Sequence, residues 1–317
     1  MTRAPADDWF FPRGALAREG WESVVDASTP GWAHTGLRVA ELEAGTSLPL
    51  PAGDVERLIV PLRGSFTVRY RLDGDGATGL DGDGAWVTVE LAGRESVFDG
   101  PTDVLYLPVG AHADLTGPGR VAVAEAPATV RKPVRHIARD EVPVELRGAG
   151  RSSRQVHNFG TPDLLDADRF IVCEVLTPAD NWSSYPPHKH DVHVPGSESR
   201  LEEIYYFETA VERGREAPPE ADPYGLMRTS SSEAGEIDTL VEVRPGDIAL
   251  VPYGWHGPCA ASPGYDLYYL NVMAGPDPER VWNISDHPAH AWVRGTWDDQ
   301  DIDPRLPYGA APRKGQA

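Results

Sequence analysis

Short apolar or alternating segments, each cut off by Gly, Pro or Asp, recur along the whole chain. Leu58–Leu62, Ser65–Tyr70, Trp86–Leu91 and Val104–Leu107 are followed in the second half by Phe170–Val175, Ile204–Phe207, Thr239–Val243 and Leu267–Leu270. Runs this short, with period two where one face is wet, predict β-strands. Many such strands at turn-rich spacing predict an all-β sandwich or barrel. The polar stretch from Arg131 to Arg154, charged and without strong periodicity, reads as a connection between two domains.

One internal match sharpens this pattern. Asp103-Val104-Leu105-Tyr106-Leu107-Pro108-Val109-Gly110-Ala111-His112 aligns position for position with Asp247-Ile248-Ala249-Leu250-Val251-Pro252-Tyr253-Gly254-Trp255-His256. Both read Asp, four mainly apolar residues, Pro, any residue, Gly, any residue, His. A shared register over that length points to duplication, hence two copies of one β-barrel domain. The expected division is 1–145 and 146–317.

Composition supports the picture. Gly (32) and Pro (30) together make about one residue in five, above the usual ~12%, so the chain turns often and leaves few long helices. Lys+Arg 29 against Asp+Glu 49 gives a net charge of −20, which argues against a nucleic-acid partner, because phosphate binding needs a basic face. Cys173 and Cys259 show no CxxC spacing, so neither a disulfide framework nor a thiolate zinc site is expected. Met1–Asp8 opens polar and acidic, and no run of about 18 apolar residues occurs. These features predict a soluble cytoplasmic protein with no membrane partner.

The candidate chemistry lies in the second half. In an extended strand His188 and His190 share a face while Lys189 points away. The same alternation places Glu203, Tyr205 and Phe207 together, and His256 follows a tight turn after an apolar strand. Three neutral imidazoles and one carboxylate suit a single divalent ion, Zn or Mn first, with Fe, Co or Ni also acceptable. The other histidines lack such spacing: His193, His287 and His290 lie in Pro- or Gly-punctuated segments, and His136 and His157 have no partner.

His-x-His…Glu followed by Gly246-x5-Pro252-x-Gly254-x-His256 resembles the two motifs of the cupin superfamily. The stretch between His190 and Glu203 is longer than usual, and the turn before His256 is one residue short. With these departures, Trp182-Ser183-Ser184-Tyr185-Pro186-Pro187-His188-Lys189-His190-Asp191, Leu201–Phe207 and Ile284-Ser285-Asp286-His287-Pro288 resemble the 5-deoxy-glucuronate isomerases of bacterial myo-inositol catabolism. These are related to 4-deoxy-5-hexosulose-uronate ketol-isomerase, a uronate isomerase of pectin breakdown. The resemblance spans most of the chain and is densest from Asn181 to Trp292.

The resemblance implies two tandem cupin (double-stranded β-helix, or jelly-roll) barrels. It implies an aldose–ketose isomerase acting on a deoxy uronate sugar acid, with His188, His190, Glu203 and His256 as metal ligands. The first copy keeps His112 but shows Leu48-Pro49-Leu50 where its own His-x-His might have been, and is expected to be metal-free. Such a reaction moves a proton between neighbouring carbons through an enediolate, whose charge a Lewis acid stabilises. Asp191, Tyr205 and Tyr269 are candidates for proton transfer. Arg228, then Arg200 and Arg280, are candidates for holding the substrate carboxylate. The runner-up reading is an Fe(II)-dependent cupin dioxygenase, and the third a non-catalytic sugar-binding bicupin, against which the full ligand set of the second copy counts; the motifs are also compatible with a homo-oligomer.

Overall fold

The computed structural model describes residues 9–73 and 84–309. Met1–Asp8, which carry the reading of a polar N-terminus, lie outside the described residues, as does the C-terminal end of the second expected domain. Among the described residues the chain is all-β apart from short 3-10 turns, and no helix is long and apolar enough to cross a membrane.

Strands from Ser23–Val25 to Arg135–Ile137 build one nine-stranded sheet. It curls because Val55–Leu72 serves two walls. Its first part pairs with Val104–Leu107 and Gly119–Pro127, its last part with Val87–Arg94 and Ala111–Thr116. From Val144 onward, a seven-stranded and a six-stranded sheet build a second barrel, and Phe10–Phe11 reach across to pair with Ile248–Val251 at its edge. The stretch 131–154 is more than a connection: Arg135–Ile137 pairs with Val104–Leu107, and Val144–Arg147 pairs with Arg154–Gly160, so the crossing is confined to residues 138–143.

Period two explains how the barrels pack. In Glu202–Val211, Tyr205 and Phe207 face the second barrel's interior, while Ile204 and Tyr206 join an apolar core between the two barrels. Tyr265–Ala274 divides the same way, Leu267, Tyr269 and Met273 inward and Tyr268, Leu270 and Val272 outward. In the first barrel Leu105 and Leu107 point inward, and Val104 and Tyr106 point to the shared core. Burial on both faces is why these strands read as apolar runs without clean alternation.

Buried carboxylates bolt the halves together. Glu56 accepts backbone N–H donors of Asp168, Arg169 and Phe170 at 2.7, 2.7 and 2.9 Å, and Glu202 accepts those of His34 and Thr35 at 2.6 and 2.7 Å. Glu174 receives a bidentate pair from Arg94 at 2.6 and 2.7 Å, with His157 Nδ1 2.5 Å away and a hydrogen bond from Tyr268 at 2.7 Å. His157, which had no sequence partner, is thus part of a fully buried polar cluster.

The repeated segments fold alike, as strand, turn and strand. Asp103 accepts N–H donors of Ala92 and Gly93, and Asp247 those of Arg13 and Arg244. Gly254 adopts φ +103°, and a Cβ there would sit 2.7 Å from Ile237 Cγ2 and Ser230 O, so only glycine makes this turn. In the first barrel His112 sits 2.9 Å from Asp73, while Leu48 and Leu50 belong to its apolar interior.

Candidate metal centre and its pocket

His188–Lys189 is a short strand whose His188 pairs in register with both His256 and Asp286. That pairing sets the imidazoles of His188 and His256 edge to face, with ring centroids 4.4 Å apart, and His190 meets His256 in the same way at 4.7 Å. Glu203, on the neighbouring sheet, points its carboxylate at them. Its Oε2 is 3.1 Å from His190 Nε2 and 3.2 Å from His256 Nε2. His190, Glu203 and His256 each place a ligand atom within 4.8 Å of the others, the one such group found among the described residues. His188 stands beside this trio.

The backbone offers an acceptor to each imidazole. Nδ1 of His188, His190 and His256 lies 3.3, 2.9 and 3.1 Å from the carbonyl oxygens of Pro186, Leu201 and Gly254. A proton placed on each Nδ1 and shared with its carbonyl would leave Nε2 with its lone pair, the form a metal needs. Burial alone would raise the Glu203 carboxyl, but His190 and His256 outweigh it and hold it down at about 2. Burial, reinforced by His256 and His190, pushes His188 well below its ordinary value and keeps it neutral. His190 goes the other way, since contact with Glu203 overcomes its burial.

His256 Nε2 is buried and, among the described residues, makes no hydrogen bond of good geometry, although Glu203 Oε2 lies 3.2 Å away. An orphaned imidazole nitrogen over an ionised carboxylate, with two more imidazoles in reach, is a donor set that fits a divalent cation.

The site opens into a cleft with about 440 Å³ of empty space, lined entirely by residues from Arg147 onward. Tyr205 and Tyr269 line it as their strand faces require, with hydroxyls 3.4 and 3.0 Å from Ser184 Oγ. Burial raises both phenols, so they stay protonated.

Residues 10–293 match the KduI/IolB family. The chain belongs to that family. It is 38% identical over 282 residues to a 5-deoxy-glucuronate isomerase of Geobacillus thermodenitrificans strain NG80-2, covering 87% of this chain and 92% of the relative. The crystal structure of an IolB-like protein from Salmonella typhimurium LT2 matches with a TM-score of 0.76 at 34% identity, covering 90% of this chain and 98% of that one. Oxalate decarboxylase of Lactobacillus farciminis, in a formate complex, matches with a TM-score of 0.58 at 10% identity over 88% of each chain, a likeness of fold alone. The KduI/IolB chain is thus all-β, with two tandem cupin barrels.

The structure corrects four expectations about its site. Asp191 shares a strand face with Lys189, away from the pocket. Lys189 Nζ donates to Asp191 and Glu198, both at 2.7 Å, and Asp191 Oδ2 accepts from Ser232 Oγ at 2.5 Å and Gly254 N at 3.0 Å. Asp191 is therefore a positioning residue for the turn that presents His256. Arg228 projects from the outer face of its strand toward Asp238, 3.9 Å away. Arg200 pairs with Asp277 at 3.0 Å and, with Arg280, lines a different cleft. Arg280 donates to the carbonyls of Phe170, Leu165 and Gly160 and so pins backbone.

The arginines that do line the pocket are Arg147, Arg154 and Arg294. One signal was available in the sequence: Arg154 is two residues from Val156, which faces the second barrel's core. The long stretch between His190 and Glu203 is a two-stranded ribbon, Asp191–Val194 with Glu198–Arg200, which supplies the Glu198 partner of Lys189.

Asp191→Ala is expected to loosen the Gly254 turn and weaken metal retention by about 10- to 100-fold, the usual effect of losing a residue that orients a ligand. Chelator competition against the parent protein checks this, and unchanged retention would show that the turn holds itself.

Proposed function

We propose that this chain is a metal-dependent aldose–ketose isomerase that converts 5-deoxy-D-glucuronate to 5-dehydro-2-deoxy-D-gluconate, as in myo-inositol catabolism. The observation that carries the reading is the convergence of His190 and His256 Nε2 on one oxygen of Glu203, with His188 alongside, in a pocket of a KduI/IolB chain. These four residues would hold the ion. A divalent cation bound there supplies Lewis-acid stabilisation of negative charge on the C1 and C2 oxygens.

The reaction moves the C2 proton to C1 and the C2 hydroxyl proton to O1, with no net redox change and no organic cofactor. Tyr205 and Tyr269 are kept protonated and serve as O–H donors to the sugar oxygens, with Ser184 linking their hydroxyls. These side chains are buried, which limits water around them and strengthens each of these contacts. The buried, unpaired Cys173 and Cys259 suit a reducing cytoplasm.

The test is an NMR time course with 5-deoxy-D-glucuronate in D2O, with and without chelator. The expected result is loss of the aldose anomeric signals and growth of the ketose only in metal-replete protein. Deuterium entering the product C1 would report exchange of the transferred proton. No conversion by metal-replete protein would overturn the reading.

A further inference from the structure

Three arginines in one pocket of a chain with a net charge of −20 require an explanation. Arg147 and Arg154 are direct cross-strand partners, an arrangement that destabilises an antiparallel pair unless something negative lies between them. Arg147 has Glu145 at 2.8 Å, and Arg294 is paired with Asp286. Among the described residues, Arg154 has no carboxylate within ion-pair distance. It is 8% exposed, and its one side-chain hydrogen bond among the described residues runs to the carbonyl of Ser152 at 3.0 Å. The Trp297 ring lies 5.6 Å from the Arg154 guanidinium and 5.2 Å from that of Arg294. Burial, with repulsion from Arg147 and Arg294, draws Arg154 down to about 10, which still leaves it a cation at neutral pH.

Among the described residues, two more donors in this pocket lack acceptors. Asn271 Nδ2 is buried and unpartnered on a residue only 3% exposed, and the Trp282 indole N–H is likewise unpartnered. A buried cation with neighbouring orphaned donors is costly in the empty pocket and is satisfied by an acceptor that carries negative charge.

We infer that Arg154, with Asn271 and Trp282, forms the subsite that binds the carboxylate of a uronate, leaving the sugar's carbonyl end for the histidines and Glu203. The planar guanidinium offers a two-pronged contact that a lysine ammonium does not reproduce. Arg147 and Arg294, already paired, add to the field. The inference rests on the isomerase reading only for the identity of the sugar.

The experiment is calorimetric titration of the metal-loaded full chain with D-glucuronate and with its neutral amide, D-glucuronamide. Parent protein is expected to prefer the acid by about 100-fold, as for a buried charge pair with one partner removed. Arg154→Met is expected to shrink that preference to within about threefold, and Arg154→Lys to restore part of it. Parent protein that binds the two equally, or binds neither at millimolar concentration, overturns the subsite, and this arm needs no substituted protein to fold. So does an Arg154→Met variant that keeps the preference.

Turnover of 5-deoxy-D-glucuronate is followed separately. Turnover without an acid preference removes the subsite and leaves the isomerase. An acid preference that Arg154→Met abolishes, in protein that turns nothing over, leaves the subsite and removes the isomerase.

Discussion

His256→Ala is expected to lower kcat/KM on 5-deoxy-D-glucuronate by about a thousandfold or more, because several kcal/mol of charge stabilisation goes with the metal. His256 touches every other member of the set, lying 3.2 Å from Glu203 and against the rings of both His188 and His190. Its loss leaves Glu203 with His190 as its one imidazole contact. His188→Ala is expected to have the smaller effect on retention, since His188 stands outside the tight trio. Elemental analysis of bound metal, run beside the NMR assay, checks both variants. A His256→Ala protein that has lost its metal yet turns over normally would sink the mechanism.

The second large effect concerns stability. Arg94 and Glu174 have side-chain exposures of 1% and 0% and join opposite halves of the chain. Arg94→Met strands the Glu174 carboxylate in the shared core, and breaking a buried pair in this way costs about 3–5 kcal/mol. A fall in the thermal midpoint of about 10 °C is expected, read by calorimetry.

The pH dependence follows from Glu174. Burial alone would raise its carboxyl, but Arg94 and then His157 outweigh burial and hold it at about 2, below its ordinary 4.5. A depressed carboxylate contributes its stability fully above pH 4.5 and loses it as pH falls toward 2. Parent protein should therefore lose stability across that acid window, and Arg94→Met should lose markedly less. A midpoint within about 2 °C of the parent at neutral pH would show that the cluster does not couple the halves.

Much of this was legible in the sequence because it is local. His188-x-His190, the alternation from Glu203 through Phe207 and the Gly254 turn each depend on neighbours within a few residues, and period two places their side chains. Asp191 was legible by the same rule, because a residue two positions from Lys189 shares its outward face. Arg228 follows it too, flanked by Met227, which faces the core. The arginine wall is a different case. Arg147 and Arg154 come from the stretch that reads as a connection and meet by strand pairing, while Arg294 comes from the 3-10 segment Ala291–Asp299, so the three share a pocket only in the folded chain. Polar links between halves, such as Glu56 to the backbone at Phe170, depend on how the barrels meet, which no local pattern encodes.

The sharing of strands between two cores also bears on inheritance. A duplicated half that held no ion would be released from chemistry on its inner face alone. Leu48, Leu50, Phe66 and Leu91 can be exchanged for other side chains that fill the same volume, whereas Val60, Tyr106 and Ala124 must still match the contour of the neighbouring barrel. Drift in the first half should therefore run in alternate positions along each strand, free on one side and held on the other. The outer face of the first half then serves as a mould for its neighbour.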